Sequence, residues 1–130
     1  MLQRYAAVPA YITKDGSEIR ELMHPSVHGN GAQSLAEATV AAGESTLHHR
    51  HARTEEIYHI TAGRGTMYLG AESFEVGPGD TVCIVPGTAH SIRALEGPLR
   101  ILCACSPAYA HDDTELCDRP GENRAAAQSI

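Results

Sequence analysis

The stretch Gly43-Glu44-Ser45-Thr46-Leu47-His48-His49-Arg50-His51-Ala52-Arg53-Thr54-Glu55-Glu56-Ile57-Tyr58-His59-Ile60-Thr61-Ala62-Gly63 decides how the rest of the chain is read. His49 and His51 stand two positions apart, Glu56 follows five positions later, and a glycine closes each end. In an extended strand successive side chains point to opposite faces, so histidines at i and i+2 project from one face toward one point. The break Ala52-Arg53-Thr54 then allows a second strand, Glu55 to Thr61, to return a carboxylate to the same centre. Two imidazoles and a carboxylate form a coordination shell that lacks one ligand. Imidazole suits zinc, copper, iron and nickel, and such a shell leaves positions open for water or substrate.

Alternation chooses between the two glutamates. With Glu56 inward, Tyr58 and Ile60 also face in, and Ile57, His59 and Thr61 face out. With Glu55 inward, His59 would enter the interior as a further unpaired imidazole. Glu56 is therefore the ligand candidate, and Tyr58 becomes a pocket residue whose hydroxyl can serve as hydrogen-bond donor or acid-base group, or else a core aromatic. His59 belongs to the outer face.

The missing ligand comes from Gly77-Pro78-Gly79-Asp80-Thr81-Val82-Cys83-Ile84-Val85-Pro86-Gly87-Thr88-Ala89-His90: a turn, a short apolar run, a second turn, then a histidine opening another strand. With both segments quoted, the chain resembles the cupin superfamily, the small β-barrel proteins of the germin and dioxygenase type. The first motif matches through Gly43, His49, His51, Glu56 and Gly63, the second through Gly79, Gly87 and His90. Val85 stands where the pattern usually has proline, with Pro86 next to it, and Ala94 where it usually has asparagine; neither touches a ligand position. Two ordered motifs are far more specific than either alone. The resemblance covers about residues 34 to 107 and implies an all-β fold, a double-stranded β-helix or jelly-roll barrel. It also implies one divalent transition ion per chain (iron, manganese, zinc, nickel or copper), held by His49, His51, Glu56 and His90.

At 130 residues and a formal net charge of -6, with 10 Lys plus Arg and no basic run, the chain is one domain unsuited to nucleic acid. No apolar run is long enough for a bilayer, and the N-terminus lacks the basic-then-apolar pattern of a signal peptide, which points to the cytoplasm. Cys103 and Cys105, two apart in Leu99 to Cys105, read as reduced core thiols in preference to a bridge or a soft-metal pair. Nothing in the pattern argues for a role of Cys117.

Residues 1–33 read as strands and loop packing on the barrel: Tyr11-Ile12-Thr13, a Lys14-Asp15-Gly16-Ser17 turn, and Glu18 to Met23 ending at His24-Pro25, with Ser26 to Ala32 as loop. His24 and His28 are read as rim residues. Ser34 to Ala41 has helix-forming composition, but the nearby Gly43 turn and the resemblance assign a strand. Thr66 to Leu69 and Ser73 to Val76 form a hairpin, and His90 to Ala94 and Leu99 to Cys105 complete residues 34–107 as the barrel. The parity of His90 places Ile92 and Ala94 in the pocket with Tyr58 and Ile60. Residues 108–130 read as a C-terminal extension, solvated at His111-Asp112-Asp113 and mobile over 118 to 130.

Chemically, the site suggests a metal-dependent enzyme for a small chelating organic substrate, with Tyr58 and Glu56 as catalytic candidates. Dioxygenase-type chemistry comes first, Lewis-acid isomerase, cyclase or lyase chemistry second, and metal-dependent ligand binding without turnover third. The resemblance further implies a homodimer.

Overall fold

In the computed structural model, residues 1 to 119 are described. Ala10–Ile12 (β1) and Glu18–Met23 (β2) pair antiparallel as the expected N-terminal hairpin. Its turn is closed by Asp15, whose Oδ1 accepts from the Ser17 N–H at 2.9 Å and the Ser17 hydroxyl at 2.6 Å. Beyond it, the expected loop is in part a single helical turn, Pro25–His28 (α1). Proline suits a first helical position, and the extended His24 caps the turn by accepting the Ser26 N–H on its ring.

The remaining strands are Ser34–Val40 (β3), His49–His51 (β4), Glu55–Ala62 (β5), Gly65–Leu69 (β6), Glu72–Val76 (β7), Thr81–Ile84 (β8), His90–Ala94 (β9), Leu99–Ser106 (β10) and Thr114–Leu116 (β11). They form two antiparallel sheets, ordered β1-β2-β3-β10-β5-β8 and β11-β4-β9-β6-β7. This is the all-β jelly-roll barrel expected. The helix-forming composition of β3 is overridden because β2 and β10 pair with it on both sides, satisfying its backbone as a strand.

Between the sheets lie Ile60, Met67, Ile84, Ile92, Leu99 and Ile101, all fully buried. β10 is the keel of the larger sheet. Its Cys103 sits opposite Ala36 and Tyr58, and its Cys105 opposite Ser34 and Glu56, so strict alternation carries both thiols inward. No disulfide joins any of the four cysteines. Among the described residues no helix is long and apolar enough to cross a membrane.

β11 departs from the expectation of a solvated extension. It pairs with β4, Thr114 opposite His51 and Leu116 opposite His49, so β4 is held between β11 and β9. His111 and Asp112 are exposed as expected, but Asp113 is buried. Its carboxylate accepts the N–H groups of Arg53 and Thr54 at 3.0 to 3.2 Å, fixing the break between His51 and Glu56. The mobile stretch expected over 118 to 130 falls, from residue 120 onward, outside the described residues.

Two motif glycines differ in what they protect. Gly63 has φ +80°, and a Cβ there would run into the Pro98 carbonyl oxygen; Gly43, at φ +76°, has open space around it. Gly63→Ala is expected to cost about 2–4 kcal/mol and Gly43→Ala about 1 kcal/mol, read by urea unfolding. Equal costs would contradict this account of the Gly63 turn.

Candidate metal centre

β4 aims His49 and His51 inward and Arg50 outward, β5 supplies Glu56, and β9 opens on His90; all four ligand candidates are buried. One ligand atom from each can be chosen so that all lie within 4.8 Å of one another. Donors bound at about 2.1 Å to one ion lie at most about 4.2 Å apart, so adjustments of a few tenths of an ångström close the shell. The three imidazole centroids are 4.2, 5.1 and 5.5 Å apart. His48, the neighbour in the run, turns away to the buried Ser91 hydroxyl at 2.8 Å.

Hydrogen bonds behind the rings fix which nitrogen faces the centre. His49 Nδ1 lies 2.7 Å from the Leu47 carbonyl oxygen, and His90 Nδ1 lies 2.9 Å from that of Thr88. A carbonyl only accepts, so both Nδ1 atoms carry the proton and both Nε2 atoms of the neutral rings present lone pairs. His51 Nδ1 lies 3.1 Å from the Thr114 hydroxyl, whose own proton goes to the Ala110 carbonyl at 3.0 Å. Thr114 must therefore accept, and in the neutral His51 ring Nε2 also presents a lone pair.

Glu56 Oε1 completes the group, 3.3 Å from His51 Nε2 and 3.4 Å from His90 Nε2. Despite these approaches, neither Glu56 Oε1 nor His90 Nε2 has a hydrogen-bond partner, although both are buried. Burial, and then the neighbouring His90, lower His49 to about 4, which keeps it neutral. A convergence of acceptors with no donor, at a cost of about 1–3 kcal/mol per unsatisfied group, is relieved by a cation. The residues fit a divalent transition ion.

Beside this group lies a small chamber. The space open to water centres is about 40 Å³, room for about three waters. Tyr58, Ile92, Cys103 and Cys105 line it as expected or allowed from sequence, whereas Ile60 and Ala94 belong to the core and do not reach it. Burial pushes the Tyr58 hydroxyl and the Cys103 thiol well up, so both stay protonated. The Cys105 thiol, raised by burial and then by the Glu56 charge, donates to Glu56 Oε2 at 3.4 Å. His59 lies on the outer face against the Thr81 hydroxyl at 2.8 Å.

Sequence reasoning missed three residues here. Tyr109 packs edge-on against His51 with ring centroids 5.9 Å apart, Thr114 orients that same ring, and Asp15 enters from the β1–β2 turn. The alternation of Thr114-Glu115-Leu116 was a strand signal, but three residues are too few to carry it. Tyr11, Glu21 and Tyr109 form the neck to an outer vestibule of about 390 Å³, where His24 and His111 sit.

A buried three-histidine, one-glutamate cluster inside a two-sheet antiparallel barrel defines a class of small metal-binding β-barrel proteins. The chain belongs to the cupin family, whose cupin domain matches residues 36–105. It is 51% identical to protein MJ1618 of Methanocaldococcus jannaschii over 115 residues, 88% of this chain and 92% of that protein. Its fold is similar to that of KdgF from Halomonas sp., with TM-score 0.74 and 19% identity over 86% of this chain and 96% of the other. It is also similar to the Streptomyces nucleoside dehydratase Pac13, with TM-score 0.73 and 16% identity over 90% of each chain.

His90→Ala is expected to abolish metal retention, read by elemental analysis of the purified protein together with thermal unfolding. Thr114→Val, which touches no ion, is expected to weaken metal affinity about 10–100-fold by freeing the His51 ring. Unchanged metal content in His90→Ala would contradict the assignment of the centre.

Proposed function

We propose that the protein is a metal-dependent enzyme acting on a small oxygen-bearing organic molecule that chelates the ion through hydroxyl or carbonyl groups. The observation that carries this reading is the set of converging acceptors in the candidate centre, opening on a chamber of only a few waters' volume. When bound, a divalent ion supplies Lewis-acid polarisation of a carbonyl or hydroxyl. His49, His51 and His90 hold it as neutral imidazoles. Glu56 acts as ligand through Oε1 while Oε2 takes the Cys105 thiol, so the catalytic role falls to Tyr58. No protein group among the described residues hydrogen-bonds the Tyr58 hydroxyl, and burial keeps its proton in place. It donates to a substrate oxygen as negative charge develops there.

That protonated donor favours Lewis-acid isomerase or lyase chemistry over the oxygen chemistry placed first from sequence. The fold likeness to Pac13, a nucleoside dehydratase, is compatible with it, although fold does not choose a reaction. Dioxygenase chemistry remains the second reading, favoured by the apolar wall of Val40, Ile92 and Ile101. Turnover of hydroxy ketones and diketones by zinc-loaded protein without oxygen uptake is the expected result. Tyr58→Phe should then lower kcat roughly 10²–10⁴-fold with little change in KM. Oxygen uptake confined to iron- or copper-loaded protein would transfer the function to the second reading. Tight binding without turnover for every metal would replace the enzyme by a ligand-binding protein.

We also propose a homodimer built on the outer face of the larger sheet, where Leu35 and Ile57 are 38% and 39% exposed. A monomer in sedimentation at micromolar concentration would contradict it. The buried thiols of Cys103 and Cys105, which form no disulfide, suit a reducing compartment, which supports a cytoplasmic location.

A further inference from the structure

Asp15 is the one carboxylate brought to the metal-binding group from outside the two motifs. Its turn is docked on the histidine strand's approach, since the Asp15 carbonyl accepts the Leu47 N–H at 2.7 Å. Its Oδ1 is fully used by Ser17, through the backbone N–H and the hydroxyl. Its Oδ2 is not. Among the described residues Oδ2 accepts no hydrogen bond; His49 Nε2 lies 3.6 Å away, and the side chain is 13% exposed. With the His49 lone pair directed at an ion, Oδ2 has no hydrogen-bond donor among the described residues, and Asp15 helps to line the chamber.

The surroundings share this bias toward accepting. Glu21 also lines the chamber, with Oε2 accepting from Tyr11 at 3.2 Å and the buried Oε1 unpartnered. Among the described residues no lysine or arginine lines the chamber. Lys14, next to Asp15 in sequence, is drawn away to the Thr114 carbonyl oxygen at 2.7 Å. A wall with unpaired carboxylate oxygens and no cation repels anions, and a ligand that brings no donor leaves those oxygens unpaired.

We infer that the chamber takes uncharged or cationic small molecules carrying a hydroxyl or amino donor beside their metal-binding oxygen, and that Asp15 Oδ2 receives that donor. Asp15 is thus a substrate-binding, specificity-determining residue supplied by the N-terminal hairpin. The inference rests on the metal-centre reading and adds the substrate's chemical class to it. Buried acceptors of this kind discriminate strongly between a ligand that offers a hydroxyl and one that lacks it.

Calorimetric titration of zinc-loaded and metal-free protein with three small chelators tests it: acetohydroxamic acid, glycolohydroxamic acid, which adds a hydroxyl, and malonomonohydroxamic acid, which adds a carboxylate. Zinc-loaded protein is expected to bind glycolohydroxamic acid about tenfold more tightly than acetohydroxamic acid, and the carboxylate compound most weakly. In Asp15→Asn the amide oxygen can still serve Ser17 while an NH₂ replaces Oδ2. The hydroxyl advantage should vanish there and the carboxylate compound should gain, with acetohydroxamic acid unchanged as the control on fold and metal. Equal wild-type affinities, or tightest binding of the carboxylate compound, would overturn the inference without reference to any variant. A hydroxyl advantage that persists in Asp15→Asn would overturn the part assigned to Asp15. If no compound prefers zinc-loaded over metal-free protein, the metal-centre reading itself fails and the inference falls with it.

Discussion

Three imidazole lone pairs and a carboxylate oxygen are aimed at one point inside the barrel, and no hydrogen-bond donor is aimed at them. Buried acceptors without donors oppose folding unless something positive lies between them. That constraint explains why the outer nitrogens donate to groups unable to donate back: the carbonyls of Leu47 and Thr88, and a Thr114 hydroxyl whose proton is already used. These distant contacts turn each ring's inner nitrogen into an acceptor before any ion arrives. Preorganisation of this kind confines the energetic conflict to a single spot that a cation relieves.

The barrel alone does not hold this geometry. β4 has three residues and pairs with β9 only at His49 opposite His90, so its other edge needs support. The support comes from the C-terminal segment: β11 pairs along β4, Asp113 clamps the backbone of Arg53 and Thr54, and Thr114 orients His51. From the other side the N-terminal hairpin docks Asp15 against Leu47 and leaves a carboxylate oxygen facing the chamber. Segments flanking the two motifs therefore determine how firmly the centre is held and what can enter it.

Sequence made the barrel and the four ligand candidates legible for a local reason. A two-residue histidine spacing, strict alternation through Glu56 and Tyr58, and turn glycines before His90 are short-range signals that survive without knowledge of the partner strands. Burial alternates along Glu55–Ala62 as required, with Glu56 and Tyr58 buried and Ile57 exposed. Contributions that depend on contacts about 35 to 65 residues apart were illegible. Nothing local marks Asp113 as a clamp for Thr54, Thr114 as the partner of His51, or Asp15 as a neighbour of His49. The same limit misplaced Ile60 and Ala94: parity gives the face of a strand but not the depth along the barrel at which the chamber ends.

X-ray absorption at the edge of the metal carried by protein from its native host would test the central claim most directly. The account predicts one ion per chain with only nitrogen and oxygen neighbours at about 2.0–2.2 Å and the multiple scattering of three imidazoles. A sulfur neighbour at about 2.3 Å would move the ion to Cys103 or Cys105, and fewer than three imidazoles would likewise contradict the assignment.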